Sequence, residues 1–222
     1  MTGLDEAGRG PVMGPLVVAG VAVDDPAVPA DLGCTDSKLL SPDRRRALDR
    51  ALRATPGVRI ALRVIEAEEL DRRRAAGESV TAIEVVAFQQ IATELGAPTV
   101  IVDAAHPNAA AFAELLRPGL PKGTRIVSEH KADVTHAVVG AASIVAKVAR
   151  DAALAQLARR LERRLDLPLG SGYPSDPTTR AFLAAWWRAH KAWPEGTRTS
   201  WATLAALSSP PPTRLDAFDT TL

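Results

Sequence analysis

Thr99-Val100-Ile101-Val102-Asp103 is the stretch whose reading decides the fold. Four β-branched residues followed at once by an acid read as a short buried strand that ends in a carboxylate. Immediately upstream, Val80 to Leu95 places apolar residues at helical spacing and stops at Gly96, a common residue just past a helix end. A helix that feeds a buried strand is an α/β unit, and in such sheets ligands bind at the carboxyl ends of strands. An unpaired carboxylate there would be costly, so Asp103 needs a partner, and a cation would serve.

Working outward, Leu16 to Val23 is a second buried run, bounded by Pro15 and Asp24, that pairs with a first strand. Val58 to Ile65 alternates basic and apolar residues as a half-exposed strand does, and Thr124 to Ser128 is a further strand running into Glu129-His130-Lys131-Ala132-Asp133. Ser41 is an N-cap and Pro42 a first helical residue for a helix over Asp43 to Arg53. Glu66 to Arg74, Asn108 to Leu116 and the long run His136 to Leu165 are also helical. The expected fold is α/β, a mixed sheet flanked by helices with a helical C-terminal portion from about residue 152. One domain is expected over 1–207, followed by a flexible Pro-rich tail over 208–222, where Ser209-Pro210-Pro211-Pro212 cannot continue a helix.

Composition permits one large domain with a proper core: 222 residues, 46% hydrophobic and 24% charged. The 27 basic and 26 acidic side chains leave a net charge of +1, so a nucleic-acid partner would be met by a local patch rather than a global field. Cys34 stands alone, which excludes an internal disulfide and suits a reducing compartment. No apolar run is long enough to span a membrane. The expectation is a cytoplasmic monomer.

The densest chemistry lies in Leu4-Asp5-Glu6-Ala7-Gly8-Arg9-Gly10. Adjacent Asp5 and Glu6 offer hard oxygen ligands for Mg²⁺ or Mn²⁺, and Gly8 and Gly10 let the backbone approach a ligand. A dinucleotide-binding loop fails on the spacing of Gly8, Gly10 and Gly14, on Pro11 and Pro15, and on the expectation that no full strand precedes it. Taken singly, Asp5, Glu6, Asp103 and Asp133 are ordinary surface acids or caps. Taken together at strand ends, they suit two divalent ions about 4 Å apart, one activating water and one stabilising a leaving oxygen. His106, His130, His136 and His190 have no zinc-type spacing. Lys38, Lys147 and Arg150 are candidate phosphate contacts or solvated cations, while Asp151 reads as a helix-surface ion pair.

Several blocks together resemble the type II ribonucleases H. They are Gly3 to Pro11, Asp36-Ser37-Lys38-Leu39, Val102-Asp103, His130-Lys131-Ala132-Asp133, Ala141 to Asp151, and Gly170-Ser171-Gly172-Tyr173-Pro174-Ser175-Asp176-Pro177. The last block and Thr199-Ser200-Trp201 are similar to the archaeal and eukaryotic branch. The resemblance implies a ribonuclease H-like fold and a two-metal endonuclease that cleaves the RNA strand of RNA–DNA hybrids and incises DNA at embedded ribonucleotides, leaving 5′-phosphate and 3′-hydroxyl ends. Asp5, Glu6, Asp103 and Asp133 would bind the metals, Gly8, Arg9 and Gly10 would hold the ribonucleotide, and Tyr173 would stack at the neighbouring deoxynucleotide. His136 stands where tyrosine is expected and Gly140 where serine or alanine is, which bears on packing of the long helix. Arg214-Leu215-Asp216-Ala217-Phe218 is similar to short peptides that bind sliding clamps, without their glutamine and second leucine. A non-catalytic hybrid-binding module and another two-metal nuclease of the same fold are the alternatives.

Overall fold

The computed structural model describes residues 1–96 and 98–208. Its centre is the hairpin of β1 (Thr2–Ala7) and β2 (Leu16–Val23), antiparallel with Leu4 opposite Gly20 and Ala7 opposite Val17. β3 (Val58–Ile65) continues antiparallel on β2, whereas β4 (Thr99–Asp103) and β5 (Arg125–Glu129) add in parallel beyond β1. The sheet order is β3-β2-β1-β4-β5. Mixed topology follows from the connections: a short loop allows only an antiparallel return, and a helical crossover brings the next strand back in parallel.

All eight residues of β2 are buried, because both faces of the sheet are covered. Leu16, Val18 and Ala22 face one core with α3 (Ala67–Ala75), α4 (Val80–Leu95) and α5 (Ala109–Leu116). Val17, Ala19, Val21 and Val23 face the other with α2 (Pro42–Ala54) and the first half of α7 (Ala137–Leu165). Two short helices, α1 (Val28–Asp31) and α6 (Ala132–Thr135), lead into α2 and α7. A third core joins the second half of α7 to α8 (Pro177–His190), α9 (Thr203–Ser208), Val12 and Met13, and forms the helical C-terminal portion.

Local signals set most element ends. Ser41 accepts from the Arg44 amide and Ser79 from the Ala82 amide, and Gly96 takes φ 66° to close α4. Gly140 answers a tight approach: a Cβ there would lie 2.9 Å from Thr35 Cα and 3.0 Å from the Asp133 carbonyl. The missing side chain is therefore what lets α7 pack, rather than a defect in it. One expectation is corrected, since a full six-residue strand, β1, does precede Gly8. The chain then returns as β2 instead of entering a helix, so the case against a dinucleotide loop rests on topology. Among the described residues no helix is long and apolar enough to cross a membrane. Residues 214–218 lie outside the described residues.

Candidate active site

Parallel pairing of β1 with β4 matches Leu4 to Val102, which brings Asp5 and Asp103 to the same end of neighbouring strands. Asp103 accepts a hydrogen bond from the Ala132 amide at 2.9 Å, and this fixes the first turn of α6 with Asp133 beside it. The left-handed conformation of Lys131, φ 60°, makes the sharp entry to that turn. Among the described residues no three acidic, histidine or cysteine side chains form a group that could hold a metal ion, but the charge of Asp103 acts on Asp5, Glu6 and Asp133 alike, and these four acids are termed the rim.

Burial and like charge raise three of these acids, Asp5, Glu6 and Asp133. Burial pushes Asp5 well above the ordinary carboxylate range, and Glu6 and Asp103 add to this, against hydrogen bonds from Ser143 and the Glu6 amide. Burial, then Glu84 and Asp103, raise Glu6 to about 8, while Arg9 and Lys38 oppose the rise. Burial, then Asp36 and Asp103, raise Asp133. Desolvation works against the charge of Lys38, yet Asp36, Asp133, Asp5 and Asp103 hold its pKa above the usual lysine value. Glu6 Oε2 is buried and has no hydrogen-bond partner among the described residues. An orphaned carboxylate oxygen among like charges fits a hard divalent cation, which takes oxygen ligands and removes the repulsion.

Next to the rim, the Gly8–Gly10 loop is held from below by Arg198, a fully buried side chain. Its guanidinium donates to the carbonyls of Gly14 at 2.9 Å, Arg9 at 3.1 Å and Gly8 at 2.6 Å. The Arg9 and Gly10 amides make no hydrogen bond among the described residues, so donors remain for a ligand. Arg9 itself donates to buried Glu84 and, at 2.9 Å, to Thr81, both on α4. Burial raises Glu84 to about 7 in spite of Arg9 and Arg198.

Tyr173 projects from the Gly170–Asp176 loop, 39% exposed, and a Cβ on Gly10 would meet its ring at 3.9 Å. The Gly172 carbonyl accepts from Val12 at 2.8 Å and Met13 at 3.2 Å, which ties the two loops together. Asp176 accepts from the Ser171 amide and hydroxyl, both at 2.7 Å, and caps α8. Arg150 is buried, with only 2% of its side chain exposed. It donates to the Ser171 carbonyl at 3.2 Å and lies 5.4 Å from the Tyr173 ring centre, bracing the tyrosine loop. Lys147 pairs with Asp151 at 2.6 Å, the helix-surface pair expected of Asp151. His136 pairs with Glu129 instead of lining the rim.

Sequence reasoning missed Arg198 and Glu84. For Glu84 a signal existed, an acid inside the apolar stripe of Val80, Ile83, Ala87 and Phe88. For Arg198 there was none.

A mixed sheet whose parallel strand ends carry an acidic rim beside a backbone-donor loop defines a nuclease of the ribonuclease H-like fold. The family model for ribonuclease HII matches residues 2–204. A ribonuclease HII from Methanothrix thermoacetophila is 42% identical over 209 residues, 93% of this chain and 96% of the relative. Among solved structures, the ribonuclease HII of Archaeoglobus fulgidus, determined in complex with PCNA, aligns with a TM-score of 0.83 at 36% identity over 97% of this chain and 98% of that one. The ribonuclease H2 of Pyrococcus horikoshii aligns at 0.82 and 32% identity, over 93% and 96%. The chain belongs to the ribonuclease HII family, metal-dependent endonucleases that act on RNA–DNA hybrids.

Proposed function

We propose that Asp5, Glu6, Asp103 and Asp133 are the catalytic metal ligands, and that the chain incises duplex DNA at embedded ribonucleotides as well as the RNA strand of hybrids. The single observation that supports this most is the orphaned oxygen of Glu6, beside Asp5 and Asp133, three acids that burial has pushed up. Asp5, Glu6, Asp103 and Asp133 would hold Mg²⁺ or Mn²⁺, which when bound would supply activation of a water and charge against the leaving oxygen.

The chain's own groups do the rest. Free amides of Arg9 and Gly10 offer donors to a 2′-hydroxyl, the group that distinguishes RNA from DNA at one nucleotide. Arg198 presets those amides by occupying the carbonyls on the opposite side of the loop, so little ordering is left for the bound state. Tyr173 offers its exposed ring to the adjoining sugar or base, and Lys38 a cation to the nearby phosphate. Lys147 reaches phosphate only by leaving Asp151. The products would carry 5′-phosphate and 3′-hydroxyl ends.

The test is incision of duplex DNA carrying one ribonucleotide, with Mg²⁺ or Mn²⁺, against the same duplex without it. Asp103→Asn is expected to lower the rate by more than about 100-fold. No incision by the natural chain, or incision that survives Asp103→Asn, overturns the assignment.

We further propose that residues 214–218 bind a sliding clamp, a reading supported by the PCNA complex of the Archaeoglobus fulgidus relative. Co-precipitation with a clamp should be lost on removing 208–222, and equal capture by both forms ends the idea.

A further inference from the structure

A groove of about 500 Å³ opens beside the Gly8–Gly10 loop, walled by Arg9, Gly10, Arg74, Val80, Ser200 and Trp201. None of the acids lines it. Arg74, in the last turn of α3, is exposed and its side chain makes no hydrogen bond or ion pair among the described residues, whereas its neighbour Arg73 is paired with Glu69 and Glu78. The Trp201 indole lines the same groove, and its position is fixed from two directions. The Arg198 guanidinium lies 5.0 Å from the ring centre. The turn before it is pinned by Asp71, which accepts from the amide and hydroxyl of Thr199, both at 2.6 Å, and of Ser200 at 3.0 and 2.7 Å. An aromatic ring held in place in the same groove as an unpaired guanidinium, with no carboxylate in the lining, is the complement of a nucleotide: a ring to stack on and a cation for its phosphate.

We propose that this groove is a second substrate subsite, which takes one nucleotide of the ribonucleotide-bearing strand, its phosphate on Arg74 and its sugar or base on Trp201. The strand follows from continuity. Gly10 is shared by the groove and by the loop read as holding the ribonucleotide, and Tyr173 meets Gly10 without walling the groove. A strand passing over the loop thus runs between the Tyr173 site and the groove. The inference rests on that reading of the Gly8–Gly10 loop.

The test uses the full chain on duplex DNA with one ribonucleotide, comparing the natural protein with Arg74→Ala. Because Arg74 is exposed and unbonded, the variant keeps the fold. Arg74→Ala should raise KM about 3- to 10-fold with kcat unchanged, and should flatten the dependence of log KM on log salt by about one charge. Arg74→Lys should restore most of the salt dependence. The KM difference should vanish when the ribonucleotide-bearing strand is shortened past the groove, and should persist when only the complement is shortened. Unchanged KM and salt slope in Arg74→Ala overturn the subsite, and a difference abolished by shortening the complement overturns the strand assignment. A natural chain that incises no substrate overturns the activity reading instead. Fluorescence anisotropy of the same labelled duplex without metal then still decides the groove, since Arg74→Ala must weaken binding.

Discussion

At the scale of single residues, the side chains that matter most are buried polar groups whose partners lie far away in sequence. Arg198 reaches the Gly8 carbonyl across 190 positions and satisfies three carbonyls with one planar fork. A lysine has a point charge and cannot reproduce that geometry. Arg198→Lys should therefore cost about 2–4 kcal/mol in urea denaturation, because at least one buried carbonyl loses its donor. It should also narrow the difference in affinity, read by fluorescence anisotropy, between a duplex carrying one ribonucleotide and the same duplex with none, since the loop amides are no longer preset. Asp5, Glu6, Asp103 and Asp133 could be singled out as candidates because each sits beside a strand or a turn signal. Arg198 was not, since a lone arginine in Thr197 to Trp201 looks like any surface cation until the loop it supports is in place. Arg150 makes the same point: sequence gives its charge but not its burial.

Among elements, the decisive contact is that of β1 with α7. Gly3 faces the helix backbone so closely that a Cβ would lie 2.3 Å from the Val138 carbonyl oxygen. The helix cannot simply retreat, because Gly140 on the same turn is seated on Thr35. Gly3→Ala should thus lose about 2–4 kcal/mol or fail to fold, as overpacking of a close backbone contact does. Gly123→Ala is the control: φ is 89° but nothing lies within 4 Å of a Cβ, so a loss of only about 1 kcal/mol is expected. Denaturant midpoints of the two variants check both. Strand and helix extents were readable from period and caps, with Val80–Leu95 and Thr99–Asp103 found to the residue. What periodicity could not supply was that β1 is a full strand, since its glycine and two acids break the apolar pattern that marks the other strands.

For the whole molecule, the acidic rim sets how stability depends on pH and metal. In the folded chain burial pushes Glu6 up to about 8 and Glu84 up to about 7, against an ordinary value of 4.5. Between those values the folded chain keeps protons that the unfolded chain has released, so stability falls as pH rises from about 5 to 8. A divalent cation replaces those protons and binds only the folded rim, so Mg²⁺ or Mn²⁺ should raise Tm more at pH 8 than at pH 5.5. Thermal unfolding with and without metal at the two pH values measures this, and a metal shift of equal size at both would contradict it. The sequence by itself determined the α/β class, the order and extent of most elements, and which acids end strands, because periodicity, capping and turn chemistry act within a few residues of each other. Only the tertiary structure decided that the acids share one rim, that Arg198 underpins the Gly8–Gly10 loop, that Arg150 is buried and that a groove lies between Arg74 and Trp201. Those facts depend on contacts between distant segments, which exist only once both faces of the sheet are covered.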